Sequence, residues 1–203
     1  PRRARQLGLE FRTWGGKRAG AGRKPRGAKA GVSHRPRPDW RQRRPLHITL
    51  RMAPHVYNLR SRRSFRVIEA ALWIGGDRFE VRIVHFSVQG NHLHLIVEAP
   101  HRRALARAIQ GLSIRIAKGL NRMMGLTGRV FDDRYHARAL HTPTEVRNAI
   151  HYVLGNARKH AAQRGAIYSA GYVDQYSSAG APDLVLPPAQ TWLLREGWKR
   201  AGP

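Results

Sequence analysis

The sequence predicts an α+β fold of the ferredoxin-like, split βαβ kind: a four-stranded antiparallel sheet with two helices on one face and a further helix on the other side. Three observations predict it. From Leu46 onward the apolar period switches between 2 and 3.6 residues in the order β-α-β-β-α-β-α. The second and third strands are separated only by Gln89-Gly90-Asn91, a turn that makes them a hairpin. The last helix begins with a full start signal, Thr142-Pro143-Thr144-Glu145.

Each element follows from its residues. Leu46-His-Ile-Thr-Leu-Arg51 alternates, with Leu46, Ile48 and Leu50 on one face, and is the first strand. After Pro54 and Asn58, residues 59–73 place Phe65, Ile68, Ala71 and Leu72 at helical spacing, and Gly75-Gly76-Asp77 ends that helix. Phe79–Val88 is β-branched and alternating, the second strand; His92–Glu98 is the third and lies in the sheet interior. Residues 103–124 carry Leu105, Ile109, Leu112, Ile116, Leu120 and Met123 on one helical face, with arginines on the rest and Gly125-Leu-Thr-Gly128 as the stop. Arg134–Leu140 is the fourth strand. The last helix runs from Pro143 to about Ala162 with Val146, Ala149, Ile150, Val153 and Ala157 as its core stripe.

The chain of 203 residues carries 38 Lys and Arg against 12 acids, a net charge of +26, so a polyanion, nucleic acid first, is the natural partner. Residues 1–45 hold fifteen of those cations and two acids, Glu10 and Asp39, in a Gly-, Pro- and Arg-rich stretch that reads as a flexible basic DNA-binding arm. Within it, Gly22-Arg23-Lys24-Pro25-Arg26-Gly27 resembles an AT-hook core, which enters an A·T minor groove; non-specific phosphate contact is the plainer reading. Residues 46–165 form the folded domain. Residues 166–203 form a tail ending in a small apolar cluster, Thr191-Trp-Leu-Leu-Arg-Glu-Gly-Trp198, expected to dock as a short helix. No apolar run approaches the roughly 20 residues of a membrane span, so no membrane partner is expected. Cysteine is absent, which removes thiolate chemistry and fits a reducing cytoplasm.

The chemistry concentrates in two places. His92 and His94 sit one residue apart in Gly90-Asn91-His92-Leu93-His94-Leu95-Ile96-Val97, so a strand points both imidazoles to one face, away from the two helices. Two imidazoles on a rigid strand begin a divalent-metal site. On the last helix Tyr152 and Asn156 are four apart on a polar flank, with Asn148 and Lys159 continuing the line. A tyrosine hydroxyl can attack a phosphodiester, and a carboxamide oxygen one turn later can complete a metal shell. Tyr135, among Arg134, His136 and Arg138, is the competing nucleophile. His85, His101, His136, His141, His151 and His160 show no partner at metal spacing, and Asp132 and Asp133 read as a solvated loop.

His92-Leu93-His94 resembles the HUH motif, and Tyr152-Val-Leu-Gly-Asn156 resembles the nucleophile helix of the single-tyrosine HUH transposases. Phe131-Asp-Asp-Arg-Tyr-His136, Asn156-Ala-Arg-Lys-His160 and the Gly16–Pro25 arm are similar to the REP-associated tyrosine transposase branch. Many relatives continue Asn-Pro, whereas Ala157 follows here. The resemblance implies a metal-dependent endonuclease and strand transferase acting on single-stranded DNA beside imperfect hairpins, in the cytoplasm at the nucleoid. His92, His94 and Asn156 would hold Mg²⁺ or Mn²⁺, and Tyr152 would keep the 5′ phosphate and release a 3′ hydroxyl. Arg23, Lys24, Arg26, Arg134, Arg138 and Lys159 are the expected DNA contacts.

The alternative is a domesticated or inactive relative that binds DNA hairpins as a repressor or genome-maintenance factor. The intact His-His-Tyr-Asn set argues against decay of the site. An RNA-binding ferredoxin-like domain would expose aromatics on its central strands, where this chain has histidines. The sequence leaves open whether it acts as a monomer or a homodimer.

Overall fold

The computed structural model describes residues 38–163, 165, 167–169, 171–181 and 184–202. The arm through residue 37, with Arg23, Lys24 and Arg26, lies outside the described residues.

The strands are β1 (Arg44–Arg51), β2 (Asp77–Arg78), β3 (Val81–Val88), β4 (His92–Ala99) and β5 (His136–Ala139). The helices are α1 (Arg62–Gly75), α2 (Arg102–Met124), α3 (Pro143–Gln163) and the single turn α4 (Trp192–Arg195), followed by a 3₁₀ turn at Gly197–Arg200. Sheet order is β2-β3-β4-β1-β5, with every pairing antiparallel. Without β2 this is the split βαβ order, with β4 between β1 and β3 as the sequence required.

The sheet has five strands, not the expected four. Phe79 does not begin a strand. It and Glu80 form the two-residue turn of a hairpin in which Arg78 faces Val81 and Asp77 faces Arg82. Both turn residues have left-handed backbone, φ 56° and 60°, as a type I′ hairpin turn requires. Neither has the glycine or asparagine that suits it, so the conformation costs roughly 1–2 kcal/mol per residue. A β-bulge between Ile83 and His85 then changes which residues face inward: Ile83 points to one core, and after the extra residue so do Phe86 and Val88.

Two apolar layers flank the sheet. Leu46, Ile48, Leu50, Leu93, Leu95 and Val97 face α1 and α2, meeting Ile68, Leu72, Leu105, Ile109, Leu112 and Ile116. On the other face Ile96 packs with Leu140, Val146, Ala149, Ile150, Val153 and Leu194, so α3 and the tail cover the histidine side. Local signals fix the helix ends. Ser61 Oγ accepts from Ser64 N at 3.1 Å, and His101 Nδ1 accepts from Ala104 N at 3.1 Å. Gly125, at φ 66°, lets Leu126 N close on Asn121 O and terminates α2. Thr142 and Glu145 make the reciprocal capping box: Thr142 Oγ1 accepts from Glu145 N at 3.2 Å, and Glu145 Oε2 accepts from Thr142 N at 3.3 Å.

The tail has two structural tasks that its composition does not reveal. Its 174–178 stretch covers the open half of β3: Val88 N donates to Tyr176 O, Ser178 N donates to Phe86 O, and Ser87 bridges Ser177. That closes an exposed strand edge. It is anchored by Arg60, whose guanidinium donates to both oxygens of buried Asp174 at 2.8 and 2.9 Å and lies over the Tyr176 ring. The second task is at Glu98, wholly buried on β4. Its Oε1 accepts from Thr191 N and Thr191 Oγ1, both at 2.7 Å, and its Oε2 accepts from Gln190 N at 2.8 Å. Glu98→Ala removes a buried carboxylate and leaves three part-buried donors of the tail without their acceptor, so urea unfolding should show a loss of about 3 kcal/mol. A loss below about 1 kcal/mol would mean that the tail docks through its apolar residues alone.

Candidate active site

The site is built on the sheet face that α3 covers. Alternation along β4 puts His92 and His94 on this face, with ring centroids 4.7 Å apart and planes at 85°. Register does the rest. On β1, Thr49 stands opposite His94 and His47 opposite Ile96; on β5, His136 pairs with Thr49 and Arg138 with His47. Three adjacent strands therefore present His94, Thr49, His47, His136 and Arg138 together.

His47 and Thr49 are residues that sequence reasoning missed. His47 Nε2 lies 3.1 Å from His94 Nδ1, and Thr49 Oγ1 lies 3.2 Å from the same nitrogen. Both therefore orient the His94 ring through Nδ1, so Nε2 is the nitrogen through which His94 would ligate. His92 is oriented in the same way: its Nδ1 is 2.8 Å from Asn91 Oδ1, an atom that only accepts, so Nδ1 carries the proton and Nε2 the lone pair. The only signal for His47 in the sequence was its place on the polar face of a predicted strand.

Burial, reinforced by His136 and Arg138, pushes the His47 imidazole down to about 4 from 6.5. Its ring is neutral at physiological pH. The unfolded chain takes up that proton as pH falls below about 6.5, and the folded chain does so only near 4. Stability is constant above this window and declines by up to about 3 kcal/mol between pH 6.5 and 4. Denaturation series in the presence of EDTA should show that decline. It should shrink in His47→Asn; an unchanged slope would remove His47 as its source. Burial lowers His85 in the same direction, beside Ser178 Oγ at 3.3 Å.

α3 brings Tyr152 over this face. Its ring centroid is 5.2 Å from that of His94 and 5.8 Å from that of His47, edge-on to both. The side chain remains 39% exposed, so its hydroxyl can meet a ligand while its ring is packed. Lys159 Nζ stands 5.4 Å from the Tyr152 ring centroid. Asn156 is not on an open polar flank as its spacing suggested: it is 1% exposed, under the helix. Among the described residues neither its carboxamide nitrogen nor its oxygen has a hydrogen-bond partner, an expensive condition for a buried amide.

Two clefts reach the histidines. One, of about 470 Å³, is lined by His47, Thr49, His94, His136, Arg138, Glu145, Asn148 and Tyr152, among others. The other, of about 500 Å³, is lined by Asn58, Arg60, Gln89, Asn91, His92, Ala157 and Tyr168, among others. Ala157 lines the cleft of His92 and Tyr152 that of His94, and the two bracket Asn156 in the chain. Among the described residues no three His, Cys, Asp or Glu side chains form a metal-sized group. A shell centred on His92 and His94 thus needs a donor of another kind, and Asn156 offers a buried carboxamide oxygen with no hydrogen bond among the described residues.

The other candidates separate from this centre. Tyr135 packs with the α1/α2 core, on the opposite face of the sheet. Asp132 pairs with Arg129, and Asp133 Oδ1 accepts from Arg134 N. Arg134 is exposed in the loop before β5. Arg138 lines the cleft and is paired to Glu145 at 3.0 Å. The His160 side chain lies outside the described residues.

No family model matches this sequence, and comparison with curated proteins gives no match. Among solved structures, the fold is similar to that of a REP-associated tyrosine transposase bound to a REP hairpin. The TM-score is 0.52 at 18% identity, over 73% of this chain and 97% of that one. A transposase-type protein from Deinococcus radiodurans lies further off, at TM-score 0.42 and 10% identity, over 64% of this chain and 95% of that one. The first likeness establishes a shared fold across most of this chain. Among the described residues, no helix is long and apolar enough to cross a membrane.

Proposed function

We propose that this chain, which has the fold of a REP-associated tyrosine transposase, nicks and rejoins single-stranded DNA at hairpin-associated sites through a tyrosine–phosphate intermediate. The observation that carries the reading is the convergence of Tyr152 with His94 and His47, rings within 5.2 and 5.8 Å, from a helix and two strands. Nothing in packing requires a half-exposed tyrosine over oriented imidazoles.

His92 and His94 through Nε2, and Asn156 through its carboxamide oxygen, are the residues that would hold Mg²⁺ or Mn²⁺; nitrogen and oxygen donors suit these ions. When bound, the ion supplies Lewis-acid polarisation of a phosphate oxygen. The Tyr152 oxygen attacks phosphorus, forming a Tyr–O–P bond as the bond to the 3′ oxygen breaks. The phenolic proton is balanced by protonation of the departing 3′ oxygen. Rejoining is the reverse and needs no external energy source, because the phosphotyrosine retains a phosphodiester bond. His47 and Thr49 hold the His94 ring, and Lys159 adds a cation beside the tyrosine. Arg134, Arg138 and the arm cations Arg23, Lys24 and Arg26 serve phosphate contacts.

The test is direct. The full chain is incubated with Mn²⁺ and single strands carrying an imperfect hairpin, and intact mass is recorded. A protein mass increased by the 5′-phosphorylated fragment supports the reading. Tight hairpin binding with neither adduct nor nick would identify an inactive binding protein instead.

A further inference from the structure

The end of the sheet remote from the histidines carries a second aromatic–cationic arrangement. Phe79 and Glu80 are the only non-glycine residues with positive φ among the described residues. The turn they make would be served without strain by Asn-Gly. Phe79 is nonetheless held 47% exposed. The guanidinium carbons of Arg78 and Arg107 lie 5.9 and 6.0 Å from its centroid. The ring opens on a cleft of about 340 Å³ lined by Glu80, His101, Arg103, Ala104 and Arg107. Among the described residues, Arg78, Arg103 and Arg107 take part in no ion pair. Glu80 is the one acid in the cleft lining, and its backbone oxygen accepts from Arg43 at 2.7 Å, which pins the turn. α2, which carries Arg103 and Arg107, contains no acidic residue.

We propose that Phe79 is a stacking platform for a base of single-stranded DNA, with Arg78, Arg103 and Arg107 on the flanking phosphates. A half-exposed aromatic ring with guanidinium groups over it is an arrangement by which proteins hold unpaired bases without reading their sequence, the mobile arginine side chains giving way to the base and turning to its phosphates. The platform is separate from the cleavage site. β3 begins at Val81 beside the turn, and Ser87, six residues on, stands opposite His94; at the strand rise this is about 20 Å. The assignment rests on the proposed function only in taking DNA as the partner.

Stability and binding should move in opposite directions. Phe79→Asn combined with Glu80→Gly supplies the residues the turn prefers, so its melting temperature should rise. Its affinity for a dT20 oligonucleotide, measured by fluorescence anisotropy, should fall about 5- to 100-fold. Phe79→Tyr should bind as the unaltered protein does. Arg107→Ala should reduce the slope of log K against log salt by about 0.7. Unchanged affinity in the double variant, within twofold, overturns the platform, as does equal or tighter binding of the corresponding oligo-U RNA. The adduct assay separates the two readings. If the unaltered protein forms no tyrosine adduct while the double variant loses affinity, the reaction is wrong and the platform stands. An adduct together with unchanged affinity leaves the reaction standing and removes the platform.

Discussion

Tyr152→Phe eliminates the covalent protein–DNA adduct and lowers cleavage of hairpin-flanked single strands by at least about 10³-fold, while binding changes by less than about twofold. The phenyl ring still meets His94 and His47 edge-on, so the packing of α3 on the sheet is retained. Only a hydroxyl is lost, from a side chain already 39% exposed, so fold stability should stay within about 0.5 kcal/mol. Intact-mass spectrometry after incubation with Mn²⁺ checks the adduct, and equilibrium unfolding checks the fold. An adduct of normal yield in the variant would disprove Tyr152 as the nucleophile. It would not point to Tyr135, which packs in the core across the sheet.

On the proposed mechanism, removing divalent metal or the two imidazoles should separate chemistry from binding. With EDTA, or with His92→Ala and His94→Ala together, cleavage should fall by about 10³-fold or more. Binding should largely persist, because a chain of net charge +26 attracts DNA without them. Asn156→Ala gives a different signature. Mn²⁺ affinity, followed by loss of the free-ion EPR signal, should weaken about 10- to 100-fold. The fold should lose little stability from the missing amide, whose nitrogen and oxygen make no hydrogen bond among the described residues. Full cleavage in EDTA would dismiss the metal. Unchanged Mn²⁺ affinity in Asn156→Ala would dismiss the third ligand and leave the histidines standing.

The parts of the molecule that were legible in the sequence are those set by local rules. Alternation placed His92 and His94 on one face, and helical spacing placed Tyr152 one turn before Asn156. Glycine and capping residues set the bounds of α2 and α3 closely. Long-range register was not legible. His47 alternates with apolar neighbours like any solvent-facing residue, and only the pairing of β1 with β4 brings it to His94. β2 escaped because two residues carry no period, and because its turn uses Phe79-Glu80 in place of glycine or asparagine. Asn156 read as a flank residue because helical spacing gives direction but not depth; its burial depends on how closely α3 lies on β3 and β4. The tail has no periodicity at all, and its pairing with β3 uses backbone groups that composition does not encode.

Glu98 gives this fold an order of completion in time. Its carboxylate is set into the sheet with β4, yet its acceptor oxygens are filled by residues 92 and 93 positions later. On a translating ribosome that separation is about 5 to 20 s of synthesis. Throughout that interval β4 has its neighbours available but its buried anion has no donors, so the histidine-bearing face cannot reach its final packing. The face shared by Tyr152 and the histidines is therefore completed only once Gln190 and Thr191 have been made, and a nascent chain carries Tyr152 before the surface around it is complete.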